Sequence, residues 1–195
     1  MNFRTEIKGH ELQYREEGHQ YTVDGYPVPS ITQILKVRFG GMYKNVNEKV
    51  LNKAAEHGTM VHSAIENYCV YGQESDLKEL RNFLFLMDKN GFYVERNEVP
   101  VILFADDVPV AAGRLDLVLS EGGMLGIADI KTTSTLNKEY LAYQLNLYRI
   151  AFEQCYEEKI HFLRGIHLKG DTRKYVEIPI NEEFAWGIVE EYLNE

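Results

Sequence analysis

Two carboxylates and a lysine fall within one short stretch. Asp116 closes Gly113-Arg114-Leu115-Asp116, and Asp129 and Lys131 lie in Ala128-Asp129-Ile130-Lys131. If both segments are strands joined by a tight turn centred near Gly122, they pair antiparallel and bring Asp116 and Asp129 close to opposite one another. Lys131, two residues beyond Asp129, points to the same face of its strand. Two carboxylates are hard oxygen ligands suited to Mg²⁺ or Mn²⁺. A metal held there can polarise a phosphate and lower the pKa of a bound water. The lysine can orient that water and offset the negative charge that grows at phosphorus. Thr132 and Thr133 follow, and small hydroxyl side chains suit a phosphate-lined rim. Taken alone, the three charges are also what a surface salt-bridge cluster on a β-hairpin would show.

Two further pairs lie on segments with helical patterning. Gly58-Thr59-Met60-Val61-His62 is followed by Glu66, and His62 and Glu66 at i and i+4 share a helix face. Gln144 and Tyr148 have the same spacing on a later helix. Singly, such a histidine is ordinary packing and such a Gln–Tyr pair is ordinary helix surface. Their order is informative. GTMVH, GRLD, DIK and QLNLY, spread over residues 58–150, resemble the PD-(D/E)XK nuclease superfamily, above all its RecB-like branch and the related phage exonucleases. That branch carries GxxxH on a helix, G-x-x-D on a strand, D/E-x-K on the next strand and QxxxY on the following helix. The segment PVPSITQIL is similar, more loosely, to the entry segment of phage-type members.

The resemblance implies a metal-dependent DNA nuclease, an exonuclease of phage or prophage origin acting in recombination or replication. It implies that Asp116, Asp129 and Lys131 are catalytic. The metal would be held by His62, Asp116, Asp129 and the backbone carbonyl of Ile130, with Glu98 a further candidate. Gln144 and Tyr148 would line the site or hold the strand, beside Glu66 and Thr132. The proline of the family name is absent, since Leu115 stands before Asp116. Only two cysteines, Cys69 and Cys155, are present, too few for the iron–sulfur cluster of the CRISPR adaptation nucleases or for a disulfide scaffold. Two other readings stay open: a nucleic-acid-binding or structural member of the same fold that does not cut, and a structure-specific or RNA-directed endonuclease. The intact Asp116, Asp129 and Lys131 argue against the first.

The elements that must position these residues follow from patterning. Residues 11–28 read as a β-hairpin and turn, and Ser30 as the N-cap of a helix beginning ITQIL. Residues 46–56 and 59–71 read as two helices interrupted at Gly58, and 76–90 as a third. Strands are expected at 98–104, 109–119 and 124–131, an amphipathic helix at 137–154, strands at 160–168 and 173–180, and a last helix at 181–193. The sum is an α/β chain with a central mixed β-sheet flanked by helices, a restriction-endonuclease-like core with an N-terminal β-hairpin. No internal boundary is marked, so 1–195 reads as one domain: 1–45 the hairpin and lead-in helix, 46–195 the core.

Composition narrows the partners. The 195 residues are 45% apolar and 26% charged, ordinary globular values. The net charge of -9 excludes coating of nucleic acid by bulk charge alone. Residues 1–97 carry 12 basic and 13 acidic side chains, and 98–195 carry 9 and 17. The positive stretch is Lys36 to Lys53, in which Lys44, Lys49 and Lys53 are candidate DNA-backbone contacts, with the Arg164–Lys174 hairpin as another path. An acidic chain binds DNA poorly as a lone monomer, so a homo-oligomer, or a recombinase or annealing protein as partner, is expected. No apolar run approaches the ~20 residues of a membrane span, and the N-terminus has no signal-peptide core. The expected location is the cytoplasm of a bacterial host.

Overall fold

The computed structural model describes residues 2–194. It is a mixed α/β fold. A four-stranded antiparallel meander comes first: β1 (Phe3–Ile7), β2 (His10–Arg15), β3 (Gln20–Val23) and β4 (Tyr26–Val28), each paired with the next. The expected hairpin is therefore the centre of a larger sheet. β1 joins because Lys8-Gly9 takes a left-handed turn, φ 51° and 78°, that folds Phe3–Ile7 back onto β2.

Two short helices follow, α1 (Ile31–Ile34) and α2 (Lys36–Phe39). Ser30 caps α1 as its position predicts. Its hydroxyl accepts from the Gln33 amide at 3.1 Å, and the Gln33 side chain accepts from the Ser30 amide at 2.7 Å, a complete capping box. The entry segment is also pinned to the core, since the Ala112 amide donates to the Pro29 carbonyl at 3.0 Å.

α3 (Glu48–Tyr71) is one unbroken helix of 24 residues rather than two. Gly58 costs about 1 kcal/mol against Ala in a helix, too little to break a helix fastened by packing further along. A Cβ at Gly58 would lie 3.2 Å from the Thr132 hydroxyl, so the glycine is where this helix passes closest to the end of the central sheet. α4 (Lys78–Asn90) completes the helical layer on that face.

The central sheet has the order β5 (Phe92–Ala105), β6 (Val108–Glu121), β7 (Met124–Lys131), β8 (Phe162–Lys169) and β9 (Thr172–Ile178). β7 and β8 are parallel, joined by α5 (Lys138–Tyr156); the other pairs are antiparallel. β5 begins six residues before its expected start, while β6 differs from expectation by one or two residues at each end. Between Tyr93 and Asn97 β5 is half-buried or exposed, so apolar patterning fades there while backbone pairing continues. α6 (Glu182–Leu193) packs beside α5. α5 covers one face of the sheet with Leu141, Leu145, Tyr148 and Phe152, all buried. On the other face Val61, Ile65, Leu80 and Phe83 of α3 and α4 pack on Leu117, Leu119, Ala128 and Ile130. Met60, next to Val61 on α3, is 49% exposed.

Close approach in the sheet depends on Gly126, where a Cβ would fall 2.1 Å from the Phe162 ring on the neighbouring strand. Gly126→Ala is expected to lower stability by about 1–3 kcal/mol, the usual range for overpacking a core. Gly41→Ala, with nothing within 4 Å of the added carbon, is expected to stay within about 0.5 kcal/mol. Urea unfolding of both variants checks the contrast.

Candidate metal centre

The β6–β7 ladder runs from Glu121↔Met124 to Leu117↔Ala128 and stops there. One step further, Asp116 and Asp129 stand across from one another. The Ile130 amide donates to Asp116 Oδ2 at 2.7 Å, so a side-chain carboxylate takes the place of a strand carbonyl. On the other side of β6, the pairs Asn97↔Leu117 and Val99↔Leu115 leave Glu98 opposite Asp116. Glu98, Asp116 and Asp129 thus form a row across three neighbouring strands.

The row sits at an irregularity. Glu98 has φ 50°, a left-handed conformation that is uncommon for a residue with a side chain. In β6 the alternation of faces changes phase at the same level. Gly113 faces α5, since a Cβ there would lie 2.8 Å from the Tyr148 ring. Beyond Asp116 it is Val118 that joins the α5 side, while Leu117 and Leu119 pack toward α3 and α4. Directly opposite residues of neighbouring strands point to the same face, so it is the register that brings Glu98, Asp116 and Asp129 together.

Helices supply the remaining groups. From α3, the His62 Nε2–H donates to the Ile130 carbonyl at 3.1 Å, and Nδ1 lies 3.7 Å from Asp116 Oδ1. Ligand atoms of His62, Glu98 and Asp116 lie within 4.8 Å of one another. From α5, buried Gln144 accepts from Lys131 Nζ at 2.8 Å, and Lys131 Nζ is 2.6 Å from Asp129 Oδ2. That oxygen is buried, and the Lys131 ammonium is its ion-pair partner. A cleft of about 390 Å³ opens over the row. Its lining includes His62, Glu66, Glu98, Asp116, Asp129, Lys131, Gln144 and Tyr148.

The electrostatics is that of a site short of positive charge. Burial pushes the Glu98 carboxyl up to about 7, Asp116 adding to the shift and Arg114 opposing it. Burial likewise raises Asp129, with Lys131 opposing and Asp116 adding. For His62, burial works against the imidazolium, but Asp116, Asp129 and Glu98 outweigh it and raise its pKa. Lys131 follows the same pattern: burial opposes its charge, Asp129 and Asp116 prevail, and it stays an ammonium. Three carboxylates and an imidazole make a largely hard donor set that suits a divalent cation such as Mg²⁺ or Mn²⁺.

Of the residues singled out in the sequence, His62, Glu98, Asp116, Asp129, Ile130, Lys131, Gln144, Tyr148 and Glu66 are brought together. Thr132 sits just outside, against Gly58. Lys44, Lys49 and Lys53 are exposed, outside the cleft, and in no ion pair among the described residues. Arg38, in the same positive stretch, is engaged by Tyr143 and by Glu191 at 2.5 Å. Three lining residues of the N-terminal sheet were not among the candidates. Tyr14, His19 and Tyr21 of the first sheet line the cleft, and the Tyr14 hydroxyl is 2.8 Å from His19 Nδ1. Arg114 pairs with Glu98 at 2.5 Å and lies 5.9 Å from the ring centres of Phe3 and Tyr14. Its position two residues before Asp116, on the same strand, was the available clue.

No protein-family model and no curated protein matches the chain. Among solved structures, it is similar to the crystal structure of SSO0001, with a TM-score of 0.51 and 16% identity over 86% of this chain and 75% of that one. The likeness is one of fold.

Two measurements bear on the centre. Glu98→Gln and Asp116→Asn are each expected to weaken Mn²⁺ binding in calorimetry; unchanged affinity in both would leave a structural ion-pair network. Without metal, the folded state holds a proton on Glu98 that the unfolded chain sheds, so stability is expected to fall as pH rises from about 4.5 to about 7. The upward shifts of Asp129 and His62 add slope of the same sign. Urea unfolding across that range in EDTA should show a shallower slope for Glu98→Gln than for wild type.

Proposed function

We propose that the chain is a metal-dependent nuclease that hydrolyses DNA phosphodiester bonds, in keeping with the phage exonucleases its motifs resemble. The observation that carries this reading is the row Glu98–Asp116–Asp129 at the end of the β6–β7 ladder, with Lys131 at its flank and His62 at its head. His62, Glu98 and Asp116 would hold the ion, and Asp129 lines the same cleft. A bound Mg²⁺ or Mn²⁺ supplies Lewis acidity toward a phosphate oxygen and a more acidic water.

The chain's own residues do the rest. Lys131 is kept protonated, so it serves as a positioned cation rather than a base. Gln144 and Asp129 hold its Nζ from two sides, which fixes where that charge lies before a phosphate arrives. Such preorganisation is what stabilises charge developing at a phosphoryl oxygen. Glu98 and Asp116 repel one another and an approaching phosphate unless a cation is shared between them, so metal and substrate binding are coupled. The exposed Lys44, Lys49 and Lys53 supply non-specific attraction to a phosphate backbone. The net charge of -9 opposes it, and an oligomer or a basic partner would restore the balance.

Lys131→Ala is expected to cut the cleavage rate of linear DNA by roughly 10²–10³, the effect of losing one preorganised donor at a transition state. The unfolding midpoint is measured alongside, because the variant also leaves buried Asp129 without its ion-pair partner, and rates are compared where both proteins are folded. End-labelled duplex and single strand, incubated with and without Mg²⁺ or Mn²⁺, provide the assay. Equal rates for wild type and variant would refute the assignment, and no metal-dependent cutting by wild type would favour a member of the fold that only binds.

A further inference from the structure

A second cavity of about 680 Å³ adjoins the carboxylate cleft, and Thr32 and Lys131 line both. Its lining differs in kind. Aromatic rings come from Phe39, Tyr43 and Tyr140. Phe39 and Tyr140 meet edge to face with centroids 5.4 Å apart, while Tyr43 is 49% exposed. Exposed Lys36 and Asn137 add polar groups. Thr133 and Thr135 add hydroxyls. A cavity of several hundred Å³ that combines aromatic walls with hydrogen-bonding side chains suits a flat heteroaromatic ring with polar edges. Nucleobases stack on such side chains with little regard to sequence.

The position of the cavity matters as much as its lining. Lys131 Nζ, which the carboxylate site uses, lies 5.7 Å from the centre of the Tyr140 ring. A strand with a phosphate over Asp116 and Asp129 therefore has the neighbouring base within reach of the aromatic walls, and Lys36 is placed to meet another phosphate. We infer that this cavity is a nucleobase pocket holding the unpaired base next to the phosphodiester at the carboxylate row. The inference rests on the nuclease reading and extends it. A base seated there has left its duplex stack, so the engaged strand is single or frayed at that nucleotide.

The test is fluorescence anisotropy with Ca²⁺ in place of Mg²⁺, using wild type, Tyr43→Ala and Tyr43→Phe. The probes are a short labelled single strand, the same strand with one abasic site moved along it, and a blunt duplex. Wild type is expected to prefer the single strand. One abasic position should weaken its binding roughly 5- to 150-fold, the range of one base–aromatic stack. Tyr43→Ala should lose most of that sensitivity and Tyr43→Phe should keep it, with Mn²⁺ affinity unchanged in both. If wild type cuts DNA with Mn²⁺ but no abasic position matters, or if Tyr43→Ala is as sensitive as wild type, the pocket is overturned and the nuclease reading stands. If wild type neither binds nor cuts DNA, both fall.

Discussion

The contact on which the site depends is the bond from the Ile130 amide to the Asp116 carboxylate. A sheet that continued its ladder through this level would pair that amide with a strand carbonyl. Here the ladder stops, a side chain takes the amide, and β6 and β7 part. The Ile130 carbonyl is released as well, and His62 claims it from α3. Helices from opposite faces of the sheet thus reach one point, because the fork leaves a gap in the sheet between them.

Burying three carboxylates in that gap is costly unless something offsets their charge. Three groups do so in part. Lys131 faces Asp129, Arg114 faces Glu98, and His62 faces Asp116. The raised carboxyls of Glu98 and Asp129 show that the balance is incomplete. Elsewhere a buried charge finds partners of opposite sign: Arg149 in α5 is paired by Glu153 and Glu182. The carboxylate row, which lines an open cleft, is left short of cations.

The legible part of the fold was what periodicity reports: the three-strand meander, the helix after it, the last strand pair, and the N-cap at Ser30. The near-opposition of Asp116 and Asp129 was also readable, because a tight turn between two strands fixes register. What escaped has physical reasons. β1 is a short edge strand of five residues that joins through a left-handed turn at Lys8-Gly9. Gly58 looked like a breaker because propensity is local, whereas α3 is held by packing at Val61 and Ile65. Glu98 was only a weak candidate, since its convergence needs a positive φ that no pattern of residue types announces. Tyr14, His19 and Tyr21 were missed because they reach the cleft by the docking of one sheet on another, a contact with no sequence period.

The two glycines of GTMVH and GRLD are explained by space rather than by flexibility. Gly58 stands four residues before His62, one helical turn away on the same face, so the turn that presents the histidine is also the turn that passes the sheet end. A side chain there would press on Thr132, directly after Lys131. Gly113 stands three residues before Asp116, where the Tyr148 ring lies on the strand. Tyr148 is one turn beyond Gln144, and Gln144 holds Lys131. A bulkier residue at 113 would lift Tyr148, and with it the turn of α5 that fixes the lysine. Each glycine therefore sets the distance of one helix from the sheet. The histidine and the lysine can meet the same carboxylate row only when both distances are short.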